Sequence, residues 1–154
     1  MVLDIITIDD EVNNILHTKC KEISLEDLKK RRDWYVELAD SMLDTIKSVG
    51  ALGLAANQVG ASLRMFALAD DTVILNPKIV AKSNMITSHE EGCLSVPGKR
   101  FNIRRAKNLV VRGIDLDGNE ITLRPKSKMV SIAIQHEMDH LNGFTLKDLG
   151  KEVE

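Results

Sequence analysis

Apolar positions along the chain recur at helical spacing in two stretches and gather into short strand-like runs between them. Leu28, Tyr35, Leu38, Met42, Ile46 and Val49 repeat with the helical period. Ser24 precedes them with the acid Asp27 three residues on, and Gly50 follows, so a capping serine and a terminating glycine bound the run. This pattern predicts one long N-terminal amphipathic helix. The passage Gly50-Ala51-Leu52-Gly53-Leu54-Ala55-Ala56-Asn57-Gln58-Val59-Gly60 has no such period, and its small residues predict close backbone approach rather than a packed strand. Met65 to Ala69 and Thr72 to Leu75 read as short buried strands around a turn at Asp70-Asp71, with Asn76-Pro77 ending the second. Further strands are expected at Lys78 to Ala81, Asn108 to Ile114 and Glu120 to Leu123, the last two joined by the hairpin pair Asp117-Gly118. From Lys128 helical spacing returns in Met129, Ile132, Ala133, His136 and His140, and Asn142-Gly143 is the expected C-terminus. A helix, then strands, then a second helix predicts an α+β fold with antiparallel sheets. No linker divides the sequence, so 1–154 is expected to form a single domain.

Composition supports that picture. With 154 residues, 44% of them hydrophobic and 29% charged, the chain has the size and mix of one soluble globular domain. The net charge of −2 gives no basic field to attract a phosphate backbone, so no nucleic-acid partner is expected. The cluster Lys29-Lys30-Arg31-Arg32 falls within the first helical stretch and reads as a solvated face. The N-terminus has no basic start and is interrupted by acids, unlike a targeting peptide, and no run approaches a membrane span. A cytoplasmic location without a membrane partner is therefore expected. Two cysteines, Cys20 and Cys93, are too few for a disulfide framework, and a thiol kept reduced is available to a metal.

The candidate chemistry lies in His136-Glu137-Met138-Asp139-His140. Residues four apart share one face of a helix, so two imidazoles can bind one ion while Glu137 reaches its open position. A catalytic site of this kind usually takes a third protein ligand. The metzincin pattern would place a histidine where this chain has Leu146, which excludes that family. A glutamate from a following helix, as in thermolysin-like sites, has little room: 154 − 140 leaves 14 residues, and Glu152 and Glu154 are expected at a frayed end. The third ligand must come from upstream, where the candidates are His17, Cys20, His89 and Cys93. Cys93 alone sits in a segment with other site-like features, between Gly92 and the turn Pro97-Gly98; a small buried hydrophobe is the other reading of it. His17 and Cys20, spaced His-x-x-Cys, read as structural.

Three segments, Gly53-Leu54-Ala55-Ala56-Asn57-Gln58, Glu91-Gly92-Cys93-Leu94-Ser95 and Gln135-His136-Glu137-Met138-Asp139-His140, together resemble the signature motifs of bacterial peptide deformylases, in the same order and spacing. The resemblance runs over nearly the whole chain. It implies antiparallel sheets packed around a central metal-binding HExxH helix, and removal of the formyl group from the N-terminal formylmethionine of nascent polypeptides. It implies Cys93, His136 and His140 as metal ligands and Glu137 as the acid–base group. The Gln58 amide and the Leu94 backbone N–H are implied as donors to the oxyanion. Substrate is implied to lie as an added strand along Leu52, Gly53 and Gly92, with Met129, Ile132 and Ala133 near the methionine side chain and Arg100 near the site; those helix positions equally fit a plain core face. Arg105 could pair with Asp139 and steady the metal helix; an exposed, energetically minor pair is the other reading. A thiolate with two imidazoles suits Zn2+ and Fe2+ alike. The resemblance implies Fe2+ as the native ion, with Zn2+, Ni2+ or Co2+ as possible occupants.

Ala51 stands where the family usually has glycine, and His89 where it has an aliphatic residue. The short C-terminus is similar to compact phage-encoded deformylases, a form that leaves ribosome tethering open. Two other readings use the same helix: a zinc peptidase, and a catalytically silent metal-stabilised binding domain. Formate release separates the first from a deformylase; the presence of Gln58 and Glu137 beside the ligands argues against the second.

Overall fold

The computed structural model describes residues 1–10, 13–84 and 86–154, with the backbone alone at 13 and 86–89. In chain order the elements begin with α1 (Leu25–Lys30), α2 (Arg32–Val49), β1 (Gly53–Ala55), β2 (Met65–Leu68) and β3 (Val73–Lys82). The hairpin strands β4 (Ile86–Cys93) and β5 (Val96–Ala106) come next, then β6 (Leu109–Ile114) and β7 (Glu120–Leu123). The chain closes with α3 (Lys128–Leu141), α4 (Leu146–Leu149) and β8 (Lys151–Glu152). Five strands in the order β1-β2-β3-β6-β7 make one sheet and β4-β5-β8 make a second, with antiparallel pairing throughout the named strands. The expected mixed class with antiparallel sheets is therefore observed.

The run Met65-Phe66-Ala67-Leu68 is buried along its whole length because both faces of its sheet are covered. Met65 and Ala67 pack with Tyr35, Ala39, Met42 and Ile46 of α2. Phe66 and Leu68 turn the other way and pack with Ile134, Met138 and Leu141 of α3. Each of the larger apolar side chains among these contributes about 2 kcal/mol through burial, so the sheet fixes both helices and thereby the face that α3 turns away from it. A third cluster, Val96, Phe101, Ile103 and Leu146, closes the small sheet against α4 and Ile8.

Several expectations are corrected. The first helical stretch is two helices: Ser24 caps α1, but Arg31, at φ −118° and ψ 29°, breaks the spiral before α2. The residues from Lys29 to Arg32 are all exposed and bring no buried contact to hold that turn in register, while the Arg31 guanidinium lies over the Trp34 ring at 4.4 Å. Val49, read as part of the buried stripe, is exposed. Gly53–Ala55, expected not to form a strand, pairs with β2 through Gly53↔Leu68 and Ala55↔Phe66. Asn76-Pro77 does not end a strand either. Asn76 adopts φ 51° and exchanges two hydrogen bonds with the Ile23 backbone, and the register shift beside it admits the proline, so β3 runs on to Lys82.

The β4–β5 hairpin was not read from the sequence at all. Its inward positions alternate Phe101, Ile103 and Arg105, and an arginine in that series hides the apolar period. The tail is not frayed: Glu152 pairs with Phe101, Lys151 pairs with Asn102, and Val153 N–H donates to the Arg100 carbonyl at 2.9 Å. Among the described residues no helix is long and apolar enough to cross a membrane.

Candidate metal centre

Helix α3 starts at Ser127, whose hydroxyl accepts from Val130 N–H at 3.2 Å. Its mid-section is tied to β5 by Gln135, whose Oε1 accepts from Ala106 N–H at 2.9 Å and whose Nε2 donates to the Ala106 carbonyl at 2.8 Å. At its end, carbonyls that have no helical partner are taken up from outside: Asn57 Nδ2 donates to His140 O at 2.7 Å, and Arg64 Nη1 and Cys20 N–H both donate to Leu141 O at 2.9 Å. Gly143 then turns the chain at φ +85°, where a Cβ would come within 3.0 Å of the Thr18 backbone. The helix is held at its middle and its end, and its two histidines are fixed with it.

Cys93, at the end of β4, meets those histidines. Its Sγ lies 3.3 Å from His140 Nε2, and that nitrogen lies 3.1 Å from His136 Nε2, all three atoms falling within 4.8 Å of one another. Ligands at ordinary zinc–nitrogen distances on a tetrahedron stand about 3.3 Å apart, so the spacing fits one ion. The ring orientation fits as well. His136 Nδ1 faces Glu91 Oε1 at 3.0 Å, so its proton belongs on Nδ1 and its Nε2 lone pair points at the other two donors. Three donor atoms this close to one another could hold one cation between them.

Burial alone would raise the Glu91 carboxyl, but its bonds from His136 and Arg105 outweigh that and hold it down at about 2. Burial works against protonation of His136, yet Cys93 and Glu91 raise it well above the ordinary histidine range. His140 is lowered well below that range by burial and by the His136 charge. Arg105 grips Glu91 with two bonds, of 2.8 and 3.0 Å, and Asp139 with a third of 2.5 Å. The expected Arg105–Asp139 pair is thus present, and Arg105 is buried. Removing one member of such a group would leave a buried charge without its partner, at a cost of about 3–5 kcal/mol.

Glu137 follows His136 on α3 and is buried, and among the described residues its Oε1 has no hydrogen-bond partner. Burial pushes its carboxyl up to about 7 against the pull of His136 and Arg105. Its Oε2 abuts Gly53, where a Cβ would sit 2.8 Å away. Gln58 Nε2 stands 3.7 Å from Cys93 Sγ. Gln58, Cys93, His136 and Glu137 line one cavity of about 780 Å³ together with Leu52, Gly53, Gly92, Leu94, Arg100, Met129, Ile132 and Ala133. His140 is not among that lining and is only 1% exposed. Arg100 is at the rim, 2.7 Å from Glu90.

The other upstream candidates lie elsewhere or outside the description. His17 is 3.8 Å from Asp148, Cys20 is buried in the core beside Leu141, and the His89 side chain is outside the described residues. Sequence reasoning quoted Glu91, Ser95 and Asn57 within motifs but gave them no role, and it gave none to Ile6, whose carbonyl accepts from Ser95. A hydrophilic residue that faces inward from a short polar segment carries no periodic signal of its burial.

A family model described as polypeptide deformylase matches residues 2–153. The peptide deformylase of Dictyoglomus thermophilum is 38% identical over 141 residues, covering 90% of this chain and 88% of that protein. The structure matches the class I type b peptide deformylase of Acinetobacter baumannii with a TM-score of 0.85 at 32% identity, over 94% of this chain and 97% of that one. It matches the PDF of the Vibrio parahaemolyticus bacteriophage VP16T, solved with actinonin, with a TM-score of 0.79 at 34% identity, over 93% and 99% of the two chains.

Proposed function

We propose, since this chain belongs to the polypeptide deformylase family, a role for each residue that lines or underlies the cavity in the family's reaction. That reaction, and this chain's, is hydrolysis of the N-formyl group from the N-terminal formylmethionine of nascent polypeptides, with release of formate. The observation that carries the assignment of roles is the convergence of Cys93, His136 and His140 beside a buried carboxyl, with an amide donor 3.7 Å from the Cys93 sulfur.

Cys93, His136 and His140 would hold a divalent ion, and the ion when bound supplies a water acidic enough to attack an amide near neutral pH. Glu137 accepts the proton of the attacking water and returns it to the leaving amine, which suits a carboxyl whose burial places it near 7. The Gln58 carboxamide and the Leu94 backbone N–H donate to the oxygen that becomes negative as the carbonyl carbon turns tetrahedral. β1 and β4 are edge strands of their sheets, so an extended peptide can lie along Leu52, Gly53 and Gly92. Ile132 and Ala133, with exposed Met129 at the mouth, receive the methionine side chain, and Arg100 faces the following residues. A thiolate with two imidazoles accepts Zn2+ and Fe2+ alike, so the donor set does not choose between them; Fe2+ is the ion we assign, on the family resemblance. Nascent chains are met in the cytoplasm, where the enzyme would act.

Under anaerobic conditions the protein should carry one equivalent of metal per chain and release formate from formyl-Met-Ala-Ser while leaving acetyl-Met-Ala-Ser intact. Cleavage of unformylated peptides without formate would assign the site to a peptidase instead. Gly53 offers a second check, because an added methyl would displace the Glu137 carboxylate. Gly53→Ala is expected to lower kcat by on the order of 10²-fold, as misplacement of a reacting group by about 1 Å does, with metal content unchanged. A parental kcat in that variant would detach Glu137 from the reaction.

A further inference from the structure

The Gln58 carboxamide is fixed at both of its ends. Its Oε1 accepts from Ala55 N–H at 3.0 Å, and its Nε2 lies 3.0 Å from Ser95 Oγ. Ser95 Oγ is in turn 2.7 Å from the Ile6 carbonyl. A hydroxyl has one proton to give and a carbonyl can only accept, so that proton goes to Ile6 and Ser95 can only accept from Gln58. Two independent constraints therefore select one amide orientation: the Ala55 N–H demands the oxygen on its side, and the Ser95 lone pair demands the NH2 on the other. Of the two N–H bonds of Nε2, one is spent on Ser95. The other donates to Cys93 Sγ across 3.7 Å, a long bond on the side where both residues line the cavity.

The segment that supplies the Ile6 carbonyl is bonded to both partners again through its backbone. Ile6 N–H donates to Gln58 O at 2.7 Å, and Ile8 N–H donates to Ser95 O at 2.8 Å. The N-terminal residues thus bridge the turn that carries Gln58 and the turn that follows Cys93. Gln58 is 3% exposed and Ser95 is fully buried, so bulk water is not at hand to replace a lost bond.

We infer that Ser95, held in its donor direction by the Ile6 carbonyl, is the positioning residue for Gln58: it engages one amide N–H and so aims the other at the oxygen that becomes negative. Ser95 itself touches no reacting atom. The inference rests on the reading of Gln58 as the oxyanion donor.

Formate release and metal content in Ser95→Ala, Ser95→Cys, Gln58→Ala and the double variant Gln58→Ala/Ser95→Ala test it. Ser95→Ala should lower kcat about tenfold while KM and metal content hold, because an oxyanion donor acts mainly in the transition state. Ser95→Cys keeps the size and a weaker acceptor and should fall between that variant and the parent. In the Gln58→Ala background, loss of the serine hydroxyl should change nothing further, since the group it positions is gone. A further tenfold loss in the double variant, or a loss in Ser95→Ala that tracks lost metal, overturns the inference. If Ser95→Ala does not fold, Ser95→Cys read in the same two backgrounds decides by the same comparison. A Gln58→Ala protein with parental kcat would instead remove the reading of Gln58 on which the inference stands.

Discussion

Glu137→Ala is expected to retain its metal and to lose turnover by about 10³-fold, within the range that a positioned acid–base group commonly contributes. The expectation follows from where the carboxylate sits. Its neighbours on α3 include two of the three proposed ligands, but Glu137 is not among the atoms that converge. Its Oε1 is buried with no hydrogen-bond partner among the described residues, a state that costs on the order of 1–3 kcal/mol and that a bound water would relieve. The missing side chain at Gly53 leaves the space that Oε2 occupies, since a Cβ there would lie 2.8 Å from it. The carboxyl, pushed up to about 7 by burial, can take a proton from water and give it back to an amine within one turnover. Removing it leaves the metal donors and the Gln58 amide in place, so substrate binding and metal content should survive while kcat collapses. Metal analysis alongside formate release at saturating formyl-Met-Ala-Ser makes the measurement. Near-normal kcat in a metal-loaded Glu137→Ala protein would remove Glu137 from the mechanism.

The placement of that carboxyl explains what the sequence could and could not reveal. The His136 and His140 spacing was legible because a helix converts a separation of four into a shared face, and nothing outside α3 is needed to see it. The upstream donor was not legible in the same way. Cys93 reaches the histidines only through β4, a strand whose partner β5 carries Arg105 at an inward position and so lacks a clean apolar alternation. Residue pattern alone left four upstream candidates open, and the motif resemblance singled out Cys93. The buried pair of Glu91 and Arg105 shows the same limit, since a charge reads as surface until its partners are known; only the Arg105–Asp139 contact was expected. The break at Arg31, by contrast, is held by surface contacts, Arg31 over Trp34 and Arg32 with Asp117, so no buried residue marks it and the helical period of its neighbours simply ran across it. β1 escaped because glycine and alanine serve close packing and edge pairing equally well, and here they do both.

Cys93→Ser should release the metal, and this variant separates the proposed ligand set from its rivals. The substitution preserves size but exchanges a thiolate for a neutral hydroxyl, removing one of three donors and its negative charge. Loss of a partner behind a ligand commonly weakens metal affinity by about 10–100-fold, and loss of a ligand should exceed that. After gel filtration the variant is expected to hold well under one equivalent, with formate release falling in proportion to the metal lost. Cys20→Ser is the matching control. Cys20 is packed with Phe66 and Leu141, and burial raises its thiol, so it behaves as a small core side chain. That variant should lose stability by about 1 kcal/mol yet keep its metal and its turnover. The pair of outcomes is specific: metal lost with Cys93 and kept with Cys20. Unchanged metal content in Cys93→Ser would mean that His136 and His140 find their third donor in another upstream residue. The close approach of Cys93 Sγ to His140 Nε2 would then have to be a packing contact of the core.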